Sequence, residues 1–279
     1  MSKNLNALVV EGGGARGIFA TGLLDVFGEE GFNPFDLYIG VSAGAGNLAA
    51  YLANMPGRNL KIFHDYSLRK EFINIPRFIM GGHLMDLDWL WEQTISDIRL
   101  DLKTIYARNK PFIVCMTDVL TGEAVYRETN AENLEHSLKA SSSLPIIYRN
   151  FPIVDGRPMA DGGLSDSIPV KEAIKMGAKN IMVIRTRKKS YLKKSSFLRN
   201  LPNIFLHKYP EVKRALNNRA KIYNQTVGFI RNPPEGINIK EICPPDSFKT
   251  PRISKNPDKV LTGYKIGRSV AVKAMGGWD

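Results

Sequence analysis

Three short stretches hold residues whose types and order could do chemistry. The first is Gly40-Val41-Ser42-Ala43-Gly44, a serine with glycines two before and two after it. The apolar run Leu37-Tyr38-Ile39 precedes it, and Leu48, Ala49, Ala50, Leu52 and Ala53 follow, rich in helix formers and with Leu48 and Leu52 one turn apart. A strand that turns at once into a helix at G-x-S-x-G is the nucleophile elbow pattern, with the serine at the apex of a sharp turn. The glycines leave room for crowded backbone, and the helix dipole favours negative charge at the serine. The second stretch is Glu11-Gly12-Gly13-Gly14-Ala15-Arg16-Gly17. It follows the strand-like run Leu5 to Val10 and precedes Ile18, Phe19, Leu23, Leu24, Val26 and Phe27 at helical spacing. A glycine loop at a helix N-terminus exposes successive N–H groups and binds an anion or a developing oxyanion. The third is Asp161-Gly162-Gly163.

Each stretch has a competing reading. Ser42 fits a helix N-cap, a common position for serine. Gly12, Gly14 and Gly17 fit the G-x-G-x-x-G dinucleotide fingerprint, which needs an acidic residue at the end of the second strand. Asp36 lies near the required distance but before Leu37 to Ile39, at the wrong end, so an oxyanion hole is favoured. Asp161 fits a turn aspartate that caps backbone amides, or a base for Ser42. In an open parallel sheet, turns that follow strands gather at the carboxyl edge, which brings the glycine loop and Ser42 towards one substrate.

In this order the three blocks resemble the patatin-like phospholipase family. Ala140-Ser141-Ser142-Ser143-Leu144-Pro145 is similar to the A-S-x-A-x-P segment between that family's elbow and its aspartate. Ser143 departs from the small apolar residue usual there. The resemblance covers Leu5 to Arg185. It implies a lipid acyl hydrolase with Ser42 as nucleophile and Asp161 as proton acceptor in a dyad. The oxyanion hole would come from Gly12, Gly13, Gly14, Arg16 and Gly17, with Gly40, Gly44, Gly162 and Gly163 as motif glycines. Phospholipid or another acyl ester is the expected substrate, and neither metal nor cofactor is expected. A catalytically silent lipid-binding protein on the same fold is the alternative. The four histidines, His64, His83, His136 and His207, carry no motif. Only His207 comes late enough for a serine–histidine triad, and it lies in a basic segment ill suited to a buried base.

The elements that must hold these groups alternate between strands and helices, which predicts an α/β fold with a mostly parallel central sheet flanked by helices. Pro111 to Met116 and Asn180 to Ile184 read as strands, and Ile153 to Met159 as a hairpin about Asp155-Gly156. Residues 58–109 hold Phe78, Ile79, Met80, Trp89, Leu90 and Trp91; they read as core helices, or as an acyl-binding wall or lid. A catalytic core over 1–185 and a C-terminal extension over 186–279 are expected. The extension is read as a basic helix over Val212 to Ile230, a strand over Ile237 to Ile242 and a closing helix over Asp258 to Met275.

Lys and Arg number 39 against 27 Asp and Glu, a net charge of +12 in 279 residues. This points to an anionic partner. Residues 186–209 concentrate Arg187, Lys188, Lys189, Lys193, Lys194, Arg199 and Lys208 among apolar residues, without an acidic one. They read as a solvated face or as peripheral contact with an anionic membrane. No nucleic-acid module is recognised. Cys115 and Cys243 lie in no zinc spacing and read as thiols of a reducing compartment. With no signal-peptide pattern and no apolar run long enough to span a bilayer, a cytoplasmic, peripherally membrane-bound protein is expected.

Overall fold

The computed structural model describes residues 4–194 and 206–278. The part of the basic segment over 195–205 lies outside the described residues. Five strands form a parallel sheet: β1 (Leu5–Val10), β2 (Leu37–Val41), β3 (Phe112–Asp118), β7 (Ala178–Ile184) and β8 (Asn238–Ile242), in the spatial order β3-β2-β1-β7-β8. The first four carry the continuous apolar runs Ala7 to Val10, Leu37 to Val41, Phe112 to Met116 and Ile181 to Ile184, because parallel strands are covered on both faces. Alternation then sorts their side chains between two cores. Leu8 and Val10 of β1 face the layer of α1 (Ile18–Glu29), α2 (Ala43–Leu52), α7 (Leu134–Ser142) and α10 (Pro257–Met275). Ala7 and Val9 face α8 (Val170–Lys175) and α9 (Pro210–Arg231). The result is an α/β/α sandwich.

An antiparallel part completes the sheet: β4 (Ala124–Glu128), β5 (Ile153–Val154) and β6 (Arg157–Asp161). β5 and β6 are joined by Asp155 (φ 49°) and Gly156 (φ 77°), both left-handed as a tight hairpin requires. On β3 the pairing with β2 ends at Val41↔Cys115, and the pairing with antiparallel β6 begins at Met116↔Asp161. β4 occupies the other edge of β3 over Ile113 to Thr117. β2 and β6 therefore meet head to head along one edge of β3, with Ser42 just past one end and Asp161 at the other.

Between α2 and β3 lie α3 (Arg58–Lys61), which continues as a π-helical turn over Ile62–Tyr66, then α4 (Ile75–Ile79), α5 (Leu87–Ile98) and α6 (Leu102–Ala107). Tyr66, Phe72, Ile73, Leu87, Leu90 and Tyr148 form a separate apolar cluster there. The chain after 185 adds β8 to the sheet and a helix to each face. α10 lies so close to α1 that an added Cβ on Gly267 would stand 2.1 Å from Phe19 O, and one on Gly22 2.1 Å from Tyr264 O. Tyr264 O–H donates to Asp25 Oδ2 (2.8 Å), and Arg268 grips Glu29 with two N–H groups (2.8 and 2.7 Å).

Gly267→Ala overpacks this contact and lowers folding stability by about 1–3 kcal/mol. Chemical denaturation reads this as a lower midpoint at unchanged slope, while Ser269→Ala on the exposed side of the same helix stays within ~0.5 kcal/mol.

Candidate active site

β1 and β2 end in register, with Val10 opposite Gly40, so the loops after them lie side by side. Ser42 has φ 52° and ψ −128°, a conformation that costs a non-glycine residue of order 1–3 kcal/mol. The crowding that holds it there comes from both glycines of the elbow. A Cβ on Gly40 would lie 2.4 Å from Ala45 Cα, and one on Gly44 would lie 2.4 Å from Val10 O. Ser42 stands at the N-cap position of α2, but its hydroxyl makes no capping hydrogen bond. The side chain is thus left for something other than ending the helix.

The glycine loop presses directly on the elbow. The Cα of Gly12 is close enough that a Cβ there would lie 3.0 Å from Ser42 Cβ. Gly14, with φ 56°, opens a short 3-10 turn over Gly14–Gly17 that leads into α1. Ala15 N–H donates to Arg252 O (2.8 Å), whereas the N–H groups of Gly13 and Gly14 have no acceptor among the described residues. Gly17 O accepts from Asn47 Nδ2 (2.8 Å) and Thr21 Oγ1 (3.2 Å), and Asn47 Oδ1 accepts from Thr21 Oγ1 and Asn59 Nδ2. This buried network fixes the loop against α2. Asp36, the acid a dinucleotide site would need, is at the opposite end of the sheet, accepting from Asn6 N–H.

Asp161 is 3% exposed. Its Oδ1 accepts from Gly163 N–H (2.7 Å), capping the short turn Gly162–Leu164, and Oδ2 has no hydrogen-bond partner among the described residues. Gly162 approaches β3 closely: a Cβ on it would lie 2.2 Å from Cys115 O. Gly163 O accepts from Ser167 Oγ (3.0 Å) and from Arg219 Nε. No hydrogen bond joins Ser42 Oγ to Asp161 in this structure; the two side chains line the same cavities. Catalytic hydrogen bonds are often long before substrate binds.

Ser141, whose role the sequence did not reveal, bridges the two strand ends. Its hydroxyl donates to Cys115 O (2.6 Å) and accepts from Ser42 N–H (2.7 Å). Next to it, Ser143 O accepts from Asp161 N–H (2.9 Å), and Ser143 Oγ donates to Lys139 O, so the polar side chain at this position is satisfied within α7. The signal in the sequence was the Ala140 to Pro145 segment itself.

Two cavities meet at Ser42, Asp161 and Arg252. One, of about 170 Å³, is largely apolar and lined by Phe63, Phe72, Leu90, Trp91 and Leu138 among others. Residues 58–109 are therefore more than covering helices: they wall a hollow that ends at the serine. The other, of about 200 Å³, is basic, with Arg16, Arg187, Lys193, Arg219 and Arg252 on its walls. Burial pushes the Arg16 and Arg252 guanidinium groups down to about 10. Burial, and then Arg219, pushes the Lys193 ammonium down to about 6.

No histidine lines either cavity. His64 bonds Asp65, His83 accepts from Arg149 N–H, His136 bonds Ile153 O and His207 is exposed. Among the described residues no cluster of His, Cys, Asp and Glu could hold a metal ion. No helix among them is long and apolar enough to cross a membrane.

Ser141→Ala leaves Ser42 N–H and Cys115 O buried without their shared partner. A loss of about 1–3 kcal/mol in folding stability is expected by denaturant titration. Ser141→Thr, which keeps the hydroxyl, recovers most of it.

Comparison with known proteins finds related sequences over most of the chain. The family model of the patatin-like phospholipases matches residues 8–174, and a model described as a domain of unknown function matches residues 209–278. An uncharacterised protein of Escherichia coli K12, YjjU, is 37% identical over 278 residues, which cover 94% of this chain and 74% of that protein. The crystal structure of VipD from Legionella pneumophila aligns over 98% of this chain and 67% of its own, at 14% identity and a TM-score of 0.46. With a family model spanning more than half its length and a relative at this identity, the chain belongs to the patatin-like phospholipase family.

Proposed function

We propose that the chain is a serine lipid acyl hydrolase that cleaves carboxylic esters of phospholipids or similar acyl lipids. The observation that carries this reading is the head-to-head meeting of β2 and β6 on β3, with the strained Ser42 and the buried Asp161 opening into one apolar hollow.

In this scheme the acyl chain lies in the apolar cavity with its ester carbon at Ser42. Asp161 Oδ2 takes the Ser42 hydroxyl proton as Oγ bonds to that carbon. The carbonyl oxygen, now negative, receives the Gly13 and Gly14 N–H groups, each worth about 3 kcal/mol in the transition state. The C–O bond to the glycerol oxygen then breaks, and Asp161 returns the proton to that leaving oxygen. Water attacks the acyl-enzyme, giving its proton to Asp161, and the fatty acid leaves as Ser42 is reprotonated.

Peripheral membrane contact belongs to the same reading. It is supported by the net charge of +12 and by the exposed Ile75, Ile79 and Met80, which follow cavity residues Phe72 and Ile73 in the chain. A silent lipid-binding protein is the competing reading. What favours it is the absence of a Ser42–Asp161 hydrogen bond.

A fluorophosphonate separates the two. The hydrolase reading expects one adduct on Ser42 by peptide mapping, none on Ser42→Ala, and fatty-acid release at least ~100-fold slower in Asp161→Asn. Full activity of folded Asp161→Asn overturns the dyad, and an unlabelled wild type that binds lipid vesicles favours the silent protein.

A further inference from the structure

The cations of the basic cavity are not used in the acyl-transfer scheme above. Six cations line it from four segments: Arg16 from the 3-10 turn, Arg187, Lys193 and Lys194 from the chain after β7, Arg219 from α9, and Arg252 from the loop between β8 and α10. Among the described residues none of the six forms an ion pair with a carboxylate. Arg16 Nε is buried with no partner. Arg219 Nε donates to Gly163 O, Arg187 lies 4.2 Å from the Tyr191 ring centre, and Lys193 lies 4.0 Å from that of Tyr223. Among the described residues the hydrogen-bond partner of Lys193 Nζ is Ser167 Oγ, at 3.4 Å. The carboxylates on the cavity wall are Glu11, whose Oε2 accepts from Thr186 N–H, and Asp161.

The neighbouring Arg185 shows how this chain treats a buried cation that is purely structural. It is fully buried, and although its Nε too lacks a partner, its Nη groups donate to Glu241 and to the Tyr223 hydroxyl oxygen (2.9 Å). Gathering several partly desolvated cations without such partners costs free energy that a bound anion restores. Guanidinium groups in number suit an oxyanion with several acceptor oxygens, and a phosphate more than a carboxylate. The cavity shares Ser42, Asp161 and Arg252 with the apolar one. In a glycerophospholipid the ester and the phosphate are only a few bonds apart.

We infer that the basic cavity holds the phosphate of the lipid substrate while the apolar cavity holds the acyl chain, which makes anionic phosphate-bearing acylglycerols the preferred substrate class. The same cations disfavour the quaternary ammonium of a phosphocholine headgroup. This inference rests on the hydrolase reading for its word "substrate"; the binding of an alkyl phosphate does not.

Two measurements test it, and their failures are separable. In the first, Ser42→Ala is titrated calorimetrically with decyl phosphate, decyl maltoside and inorganic phosphate. Decyl phosphate is expected to bind at least ~10-fold tighter than either of the others, with the gain reduced by salt and lost in Lys193→Met and Arg187→Gln on the same background. The Lys193 ammonium is pushed down to about 6 by burial and Arg219, facing Arg16, Arg252, Glu11 and Tyr223. A phosphate beside it restores its charge, so binding near pH ~8 takes up about one proton, and none in Lys193→Met.

In the second, the wild type hydrolyses 1-decanoylglycerol 3-phosphate with kcat/KM at least ~10-fold above 1-decanoylglycerol and its phosphocholine ester, and Lys193→Met lowers the first far more than the second. Ser42-dependent hydrolysis with equal rates on all three overturns the phosphate inference and leaves the hydrolase reading standing. Tight, Lys193-dependent binding of decyl phosphate without hydrolysis of any ester does the reverse. Inorganic phosphate binding as tightly as decyl phosphate assigns the cavity to free phosphate and overturns its lipid role. Circular dichroism of the Lys193→Met and Arg187→Gln proteins confirms that each remains folded.

Discussion

One edge of one strand decides where everything else at the site can be. β3 gives its edge first to β2, up to Cys115, and then to β6, from Met116 onwards. Two strands pointing at each other along a shared partner leave a seam where neither ladder continues. At that seam the carbonyl of Cys115 and the amide of Ser42 would be orphaned in a dry interior, and the Ser141 hydroxyl accounts for both. Gly162 closes the seam from the other side with its Cα almost against the Cys115 carbonyl. Hydrogen bonding thus fixes the separation of the elbow and the aspartate as firmly as side-chain packing does.

The strain at Ser42 follows from the same arrangement. A left-handed serine persists only where the surroundings over-determine it. Here they are the end of β1 against Gly44, the turn of α2 against Gly40, and the glycine loop against the serine itself. The Thr21–Asn47–Asn59 network locks the loop to α2 without spending the Gly13 and Gly14 amides. The glycine loop and the serine are therefore parts of one rigid frame.

Local pattern made the strand–loop–helix of the glycine stretch and the strand–turn–helix at Ser42 legible in the sequence, because each is written in contiguous residues of the kind its geometry demands. The alternation of strands and helices likewise pointed to the α/β sandwich, and the wrong-ended Asp36 told against a dinucleotide site. What stayed hidden is what depends on contacts between distant segments. Nothing near Ser141 announces that it serves a backbone carbonyl on β3. Arg219 and Arg252 look like surface cations of a helix and a loop, and only the packing of α9 and the β8–α10 loop turns them inward. Residues 58–109 were ambiguous because apolar side chains lining a hollow and apolar side chains filling a core have the same composition.

The backbone-close contact between α1 and α10 has a consequence for time as well as for structure. The glycine loop feeds directly into α1, and α1 is held by a helix whose tyrosine reaches it across 239 positions of sequence. β1 itself is sandwiched between β2, nearby in the chain, and β7, more than a hundred residues later. Contacts of such separation form late, after the long intervening chain has been ordered. The serine leaves the ribosome well before α10 does, yet its surroundings are assembled only once α10 has docked. A nascent or C-terminally clipped chain therefore carries the nucleophile pattern in its sequence without the frame that would strain it, so the order of synthesis separates making the group from arming it.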